Sequence, residues 1–297
     1  MKTHIAEQKN SLSVGTIGFF VFLHVGALFA LMPSLFSWSA VALMLFLYWV
    51  TASLGICLGY HRYLTHKGLE LPKWLAYFLV TCGTLACQNG PLKWTAHHRM
   101  HHAGSDTEND PHSAKKGFWW AHLYWMVYFQ PKFDTQEVLN TYTKDISHDK
   151  YYAFLDKYFI AIQFAFGFML MAIGGWSFVV WGIFLRLVLV YHGTWFVNSA
   201  AHTFGYKNFQ LKDDLATNCW WVALLSFGEG WHNNHHAFAQ SAKHGLRPWE
   251  IDMTWYVICV LRFLGLAKNI KVVELTRIPN AISPENLFRG EMIKKAA

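Results

Sequence analysis

Histidine is the residue type best placed to do chemistry in this chain, because its 17 copies are clustered. Three short runs hold them at ligand spacing: His61 and His66 in HRYLTH, His98, His101 and His102 in HRMHH, and His232, His235 and His236 in HNNHH. A fourth run, NSAAH, adds Asn198 and His202. Residues three and four apart share one face of a helix, so each HxxHH run aims three imidazoles to one side, as a metal site requires. His61 and His66 are five apart, about 140° round an ideal helix. One of them must sit on a distorted turn or past the helix end to reach the same metal. Imidazole serves Fe, Cu, Ni and Zn alike, so ligand type alone does not choose the metal. A structural zinc takes four ligands and a catalytic one three plus water. Nine positioned histidines exceed that and suit two metals with open positions. There is no HExxH, and the single Glu-x-x-His, Glu229 to His232, falls short of the two that carboxylate-bridged di-iron bundles use.

Asp106, Asp110 and Glu229 lie beside the boxes. Carboxylates so placed orient metal-bound imidazoles by accepting from the other ring nitrogen; the plainer role is that of solvated loop charges. His4, His24, His122, His148, His192 and His244 stand apart from the boxes and read as structural. For His97 and His112 a structural reading and a functional one, as supports of the boxes or as headgroup contacts, are equal.

The elements that must position these residues are membrane helices. Hydrophobic residues make up 54% of the chain and charged ones only 14%, against about 25% charged in an ordinary soluble domain. No Asp, Glu, Lys or Arg occurs from Ser11 to His61, and Arg186 is the only one from Tyr158 to Tyr206. A bilayer core needs roughly 20 helical residues, so each stretch holds two spans, divided at Pro33-Ser34 and at Gly174-Gly175. The expected spans lie near 13–32, 39–60, 156–174 and 177–198. The apolar run continues from the first span into a second, which reads as an anchor and not as a cleaved leader. Segments 74–87 and 251–267 are too short or too polar to span and read as interfacial helices. If the first two boxes bind common metals, segment 74–87 between them cannot cross. Residues 61–155 and 199–297 then form a cap, and the whole chain, 1–297, is one domain.

The formal charge of +7 raises nucleic acid as a partner, but the basic residues form no patch between aromatics. The uncharged inter-span turns, against Lys2, Lys9, Arg62, Lys93 and Arg99 outside the spans, put both termini and the boxes in the cytoplasm. The charge then favours anionic lipid over nucleic acid. Five scattered cysteines without CxxC spacing read as small core residues of a reduced chain.

The boxes HRYLTH, HRMHH and HNNHH, with NSAAH between the last two, resemble those of the membrane fatty-acid desaturases. GEGWHNNHH and the run CGTLACQNGPLKWTAHHRMHHAGSDTENDPH are similar to the Δ9-type bacterial members, and the likeness covers roughly residues 38–268. The resemblance implies an all-α integral membrane fold of four transmembrane helices under a cytoplasmic helical cap that holds two Fe ions. It carries over nine ligands, His61, His66, His98, His101, His102, His202, His232, His235 and His236, with Asn198 reaching one iron through water. It implies an O2-dependent oxidoreductase that turns a saturated acyl chain into a cis alkene. Gln88, Trp94 and Thr194 match positions that bend the acyl chain, and Trp49 matches the position that caps its tunnel.

Acyl-CoA members carry an Arg-Asp pair directly before the second box, where this chain has Ala96-His97. The departure favours a lipid-linked substrate over acyl-CoA. No HPGG-like haem segment is present, so the resemblance implies a separate electron donor, a ferredoxin or a cytochrome b5. A hydroxylase or ketolase of the same histidine-box kind remains open, as does a membrane metal carrier or sensor. A carrier is expected to hold its ligands at mid-membrane, whereas these boxes sit at span ends and in the cap. For Arg186, a role inside the membrane and an outward-reaching, snorkelling side chain are equal readings.

Overall fold

The computed structural model describes residues 10–273; Lys2, His4, Lys9 and both termini lie outside the described residues. The chain is mostly helical. Helix α1 (Val14–Leu28) continues through a tight turn to Leu31 before Pro33 ends the run. Ser37 then caps α2 (Trp38–Tyr48), its hydroxyl accepting from the Ala40 amide. Without a break, α2 passes into a π-helical segment, Trp49–Thr65.

Helix α3 (Lys73–Thr84) doubles back along that segment and does not extend beyond it. The approach is close enough that a Cβ on Gly55 would lie 2.4 Å from the Gly83 amide nitrogen, so only glycine fits. At about 1.5 Å per residue α3 is too short to cross a bilayer, as its sequence foretold. Pro91 opens α4 (Pro91–Ala103) at the position where its missing N–H costs nothing. Helices α5 (Phe118–His122), α6 (Pro131–Asp134) and α7 (Gln136–Thr143) follow as short pieces of the polar segment.

Asp149 caps α8 (Lys150–Val179), which is interrupted by Gly175 at φ 62°, ψ −157°. Past a π-helical turn, Val180–Leu185, the chain enters α9 (Arg186–Ser199) and ends the run at His202. Gly167 faces Ile183 and Gly182 faces Leu170, so the halves on either side of Gly175 lie side by side as a hairpin. Helices α10 (Trp220–Leu225), α11 (His232–Ala237) and α12 (Met253–Phe263) complete the described fold. Two-residue strands, Ser11–Leu12 and Tyr128–Phe129, pair antiparallel and tie the start of α1 to the polar segment.

Among the described residues, three helical runs are long and apolar enough to cross a membrane: Val14–Leu31, Trp38–Thr65 and the folded Lys150–His202. Their outer faces expose Phe22, Leu28, Phe46, Phe164 and Phe168, apolar surface that water would not tolerate over such an area. Arg186 does not reach outward. It is fully buried and donates to the carbonyls of Gly182 and Leu85 and to the Thr51 hydroxyl. The guanidinium thereby ties α9 to the π-helical segment and to the end of α3.

Candidate metal centre and substrate cavity

The π-helical segment resolves the spacing of the first box. The His66 amide donates to the His61 carbonyl at 3.1 Å, an i→i+5 bond. Five residues therefore close a single wide turn, and the two rings meet with centroids 4.7 Å apart. The second box lies on α4, the third on α11, and His202 on the turn that follows α9.

Together these elements gather the nine histidines into two groups, each with ring nitrogens within 4.8 Å of one another. One group is His61, His66, His98, His102 and His235; the other is His101, His202, His232 and His236. The groups adjoin, with the His102 and His236 rings 4.6 Å apart. Within the first, Nε2 atoms approach at 3.0 Å for His61–His235, 3.1 Å for His66–His98 and 2.9 Å for His102–His235. In the second, His101 and His236 meet at 3.2 Å. Two nitrogens each about 2.1 Å from one ion and at right angles to it are about 3 Å apart, so these separations match ligands around a common point.

Carboxylates set the ring tautomers. Nδ1 of His61 faces Glu229 at 2.7 Å, that of His101 faces Asp110 at 2.9 Å, and that of His202 faces Asp106 at 2.8 Å. Nδ1 of His236 faces Asp214 at 2.6 Å. An ionised carboxylate only accepts, so in His101, His202 and His236 Nδ1 carries the proton and Nε2 presents a lone pair. Burial, then repulsion between neighbouring rings, holds His98, His102, His232, His235 and His236 well below the usual imidazole range. They are neutral donors of electron pairs. Burial alone would raise the carboxyls of Asp106 and Asp110, but hydrogen bonding and charge from His202 take Asp106 down to about 2. Charge from His101 and His112 takes Asp110 well below the carboxylate range.

Beside the groups lies a cavity of about 380 Å³, lined in part by Gln88, Trp94, His98, Thr194 and Asn198. It narrows into a recess of about 40 Å³ bounded by Tyr48, Ile56, His61, Val190 and His232, and shares Trp94, His98, Thr194 and Asn198 with it. Gln88 Nε2 donates to Thr194 Oγ1 at 2.9 Å, and the Trp94 ring stacks on His98 at 5.1 Å. Gln88, Trp94 and Thr194 thus meet where the wide and narrow sections join, at the edge of the first histidine group.

A family model described as fatty acid desaturase matches residues 12–258. The chain belongs to the fatty acid desaturase family. It is similar to an sn-1 stearoyl-lipid 9-desaturase of Anabaena variabilis, 57% identical over 86% of this chain and 93% of the relative. A protein of the same description from Synechocystis is 53% identical over 89% of this chain and 82% of its own. An sn-2 palmitoyl-lipid 9-desaturase of Nostoc is 48% identical over 89% and 93%.

Not every expected residue reaches the desaturase cavity. Trp49 stands 37% exposed against Phe46 and lines neither section. Its neighbour Tyr48 lines the narrow section, its hydroxyl donating to the Leu225 carbonyl at 2.6 Å. Sequence reasoning also missed Asp214, which lies in a polar stretch with no regular spacing to His236. His244, read as structural, sits 3.1 Å from Glu229 and packs its ring on His235 at 4.4 Å. Arg62 is buried between Glu229 and Asp252, both at 2.9 Å, and so holds the carboxylate that holds His61; its place inside the first box was the available signal. His112 stacks on His101 at 4.3 Å, while His97 pairs with Asp134 at 3.1 Å on the wall of the wide section. His24, His192 and His122 form a hydrogen-bonded row apart from both groups.

Proposed function

We propose that this desaturase introduces a cis double bond at Δ9 of a saturated acyl chain esterified in a membrane lipid, with two irons, O2, two electrons and two protons. Two hydrogens leave adjacent carbons, and O2 takes them with the added protons and electrons as two waters. The observation that carries the reading is the pair of adjoining groups of buried and half-buried imidazole nitrogens beside a cavity with a wide and a narrow section. Nε2 of His202 and Nε2 of His232 are buried without a hydrogen-bond partner, which is costly unless an ion completes them.

His61, His66, His98, His102 and His235 would hold one iron and His101, His202, His232 and His236 the other, with Asn198 near enough to the cavity wall to position a water. Bound iron supplies the redox chemistry that removes hydrogen from an unactivated carbon. The protein's own part is placement. Asp106, Asp110, Asp214 and Glu229 fix ring tautomer and direction, while Gln88, Trp94 and Thr194 bend the chain so that one short stretch faces the histidines. Apolar walls of the narrow section, Ala52, Ile56 and Val190, receive the methyl-end portion and exclude water.

Three features favour a lipid substrate: the named activities of the relatives, the Ala96-His97 pair before the second box, and membrane helices around the cavity. The hairpin at Gly175 lets Lys150–His202 cross twice, giving four crossings with the histidines and both termini on the cytoplasmic side, in one membrane domain. A separate ferredoxin or cytochrome b5 supplies the electrons. The test is reconstituted enzyme with reductant and O2, offered distearoyl lipid or stearoyl-CoA, with products read by mass spectrometry and metal by elemental analysis. Faster conversion of lipid to the cis-9 product by iron-loaded protein is expected. Turnover of acyl-CoA alone, a hydroxylated product, or stoichiometric zinc without iron overturns the reading.

A further inference from the structure

A second apolar cavity has no part in the reaction above. It measures about 240 Å³ and lies in a cleft between α1 and the first half of α8, floored by Ile183, Phe184 and Leu187. The cleft exists because α1 packs chiefly on Val180–Leu185 and α9, with Gly26 set directly on the Phe184 ring. Its walls include Leu23, Phe164, Met171 and Val179, and Gln163 and Cys87 are its only polar side chains. Phe164 and Phe168, 62% and 73% exposed, edge its outer side, so it opens laterally. It adjoins the wide section of the substrate cavity, with Phe19, Cys87 and Ile160 lining both.

Two apolar recesses thus border the wide section, one beside the histidines and one in the cleft. Its own mouth is polar, with Ser13, Thr16, Asn89, Lys93 and Asp134 on the wall. That is the shape of a diacyl glycerolipid: a polar ester region from which two hydrocarbon chains diverge. A single-chain thioester would use one of these recesses and leave the cleft to bulk lipid. From Ile160 to Met171 the cleft follows eleven residues of helix, about 16 Å at the helical rise, a length that shelters most of an acyl tail. Resting on the acyl-lipid reading, we infer that the cleft between α1 and α8 seats the second, non-reacting acyl chain of the substrate lipid and selects lipids that carry two long chains.

Gly167 gives direct access to the test. A Cβ there would meet only Ile183 Cγ1, at 3.9 Å, so Gly167→Phe projects a ring into the cleft without displacing backbone. Reconstituted enzyme is given distearoyl lipid or a lipid with one stearoyl and one acetyl chain. Gly167→Phe should slow the first at least about ten-fold and leave the second within about two-fold, with Gly167→Ala altering neither, since two long chains lose their seat and one does not. Independently, wild-type enzyme is photolysed with a lipid bearing a diazirine midway along the non-reacting chain. Label should fall within 160–171 or 183–187. Equal effects of Gly167→Phe on both lipids, or label outside those segments while diacyl lipid is still converted, overturns the second-chain assignment alone. Wild type that converts no diacyl lipid overturns the acyl-lipid reading with it.

Discussion

The two histidine groups are built differently. In the group of four, three rings are each backed by an aspartate: His101 by Asp110, His202 by Asp106 and His236 by Asp214. Those aspartates also tie loops together, since Asp106 accepts from the amides of Ala114 and Leu215. In the group of five, one carboxylate, Glu229, serves His61 and His244 together and is itself locked to Arg62. The first design spreads orientation over short local contacts. The second concentrates it in one buried ion network that joins the π-helical segment to Asp252 before α12. Damage should therefore stay local in the group of four and spread through the fold from the group of five.

The strongest break of that comparison is His101→Ala. It should abolish turnover and lower iron towards one per chain while the protein still inserts, with His148→Ala leaving activity near wild type. Loss of all metal from His101→Ala would show the groups to be inseparable. Next is the pair Glu229→Gln and Asp214→Asn. Loss of a supporting carboxylate typically costs about 10- to 100-fold in metal affinity or activity, and both variants should show it. Only Glu229→Gln also removes one of the two carboxylates around buried Arg62; Asp252 remains, so the cost should stay below the roughly 3–5 kcal/mol of a fully broken buried pair. Its thermal midpoint should fall clearly, while that of Asp214→Asn should barely move; equal midpoints would erase the distinction drawn here. The smallest effect concerns selectivity. Tyr48→Ala should lengthen the chains converted, with the double bond at an unchanged distance from the carboxyl end. Trp49→Ala should keep the parent product profile, and a shift with Trp49→Ala alone would return the tunnel end to that residue.

The histidines were legible because ligand spacing of three and four is a property of helix geometry, independent of what surrounds the helix. The apolar runs and the turn at Gly175 were legible for a similar reason, since bilayer thickness imposes a length. Trp49 was expected at the tunnel end by resemblance, which does not say how the helix around it is wound. The segment from Trp49 to Thr65 is wound wider, the face drifts, and Tyr48 arrives at the cavity instead. Asp214 and His244 reach their partners through irregular chain, where no periodicity connects ligand and support. Arg186 could not be settled from sequence because its partners are largely main-chain carbonyls, which every residue possesses.

The wide turn that brings His66 back beneath His61 has a consequence for how this chain tolerates change in length. A residue inserted into or deleted from the stretch between Gly55 and His66 would turn everything beyond it by about 100° on an ordinary helix. That would carry Gly59 off its contact with Leu79, and one of the two histidines out of its group. Length variation among relatives should therefore be absent here.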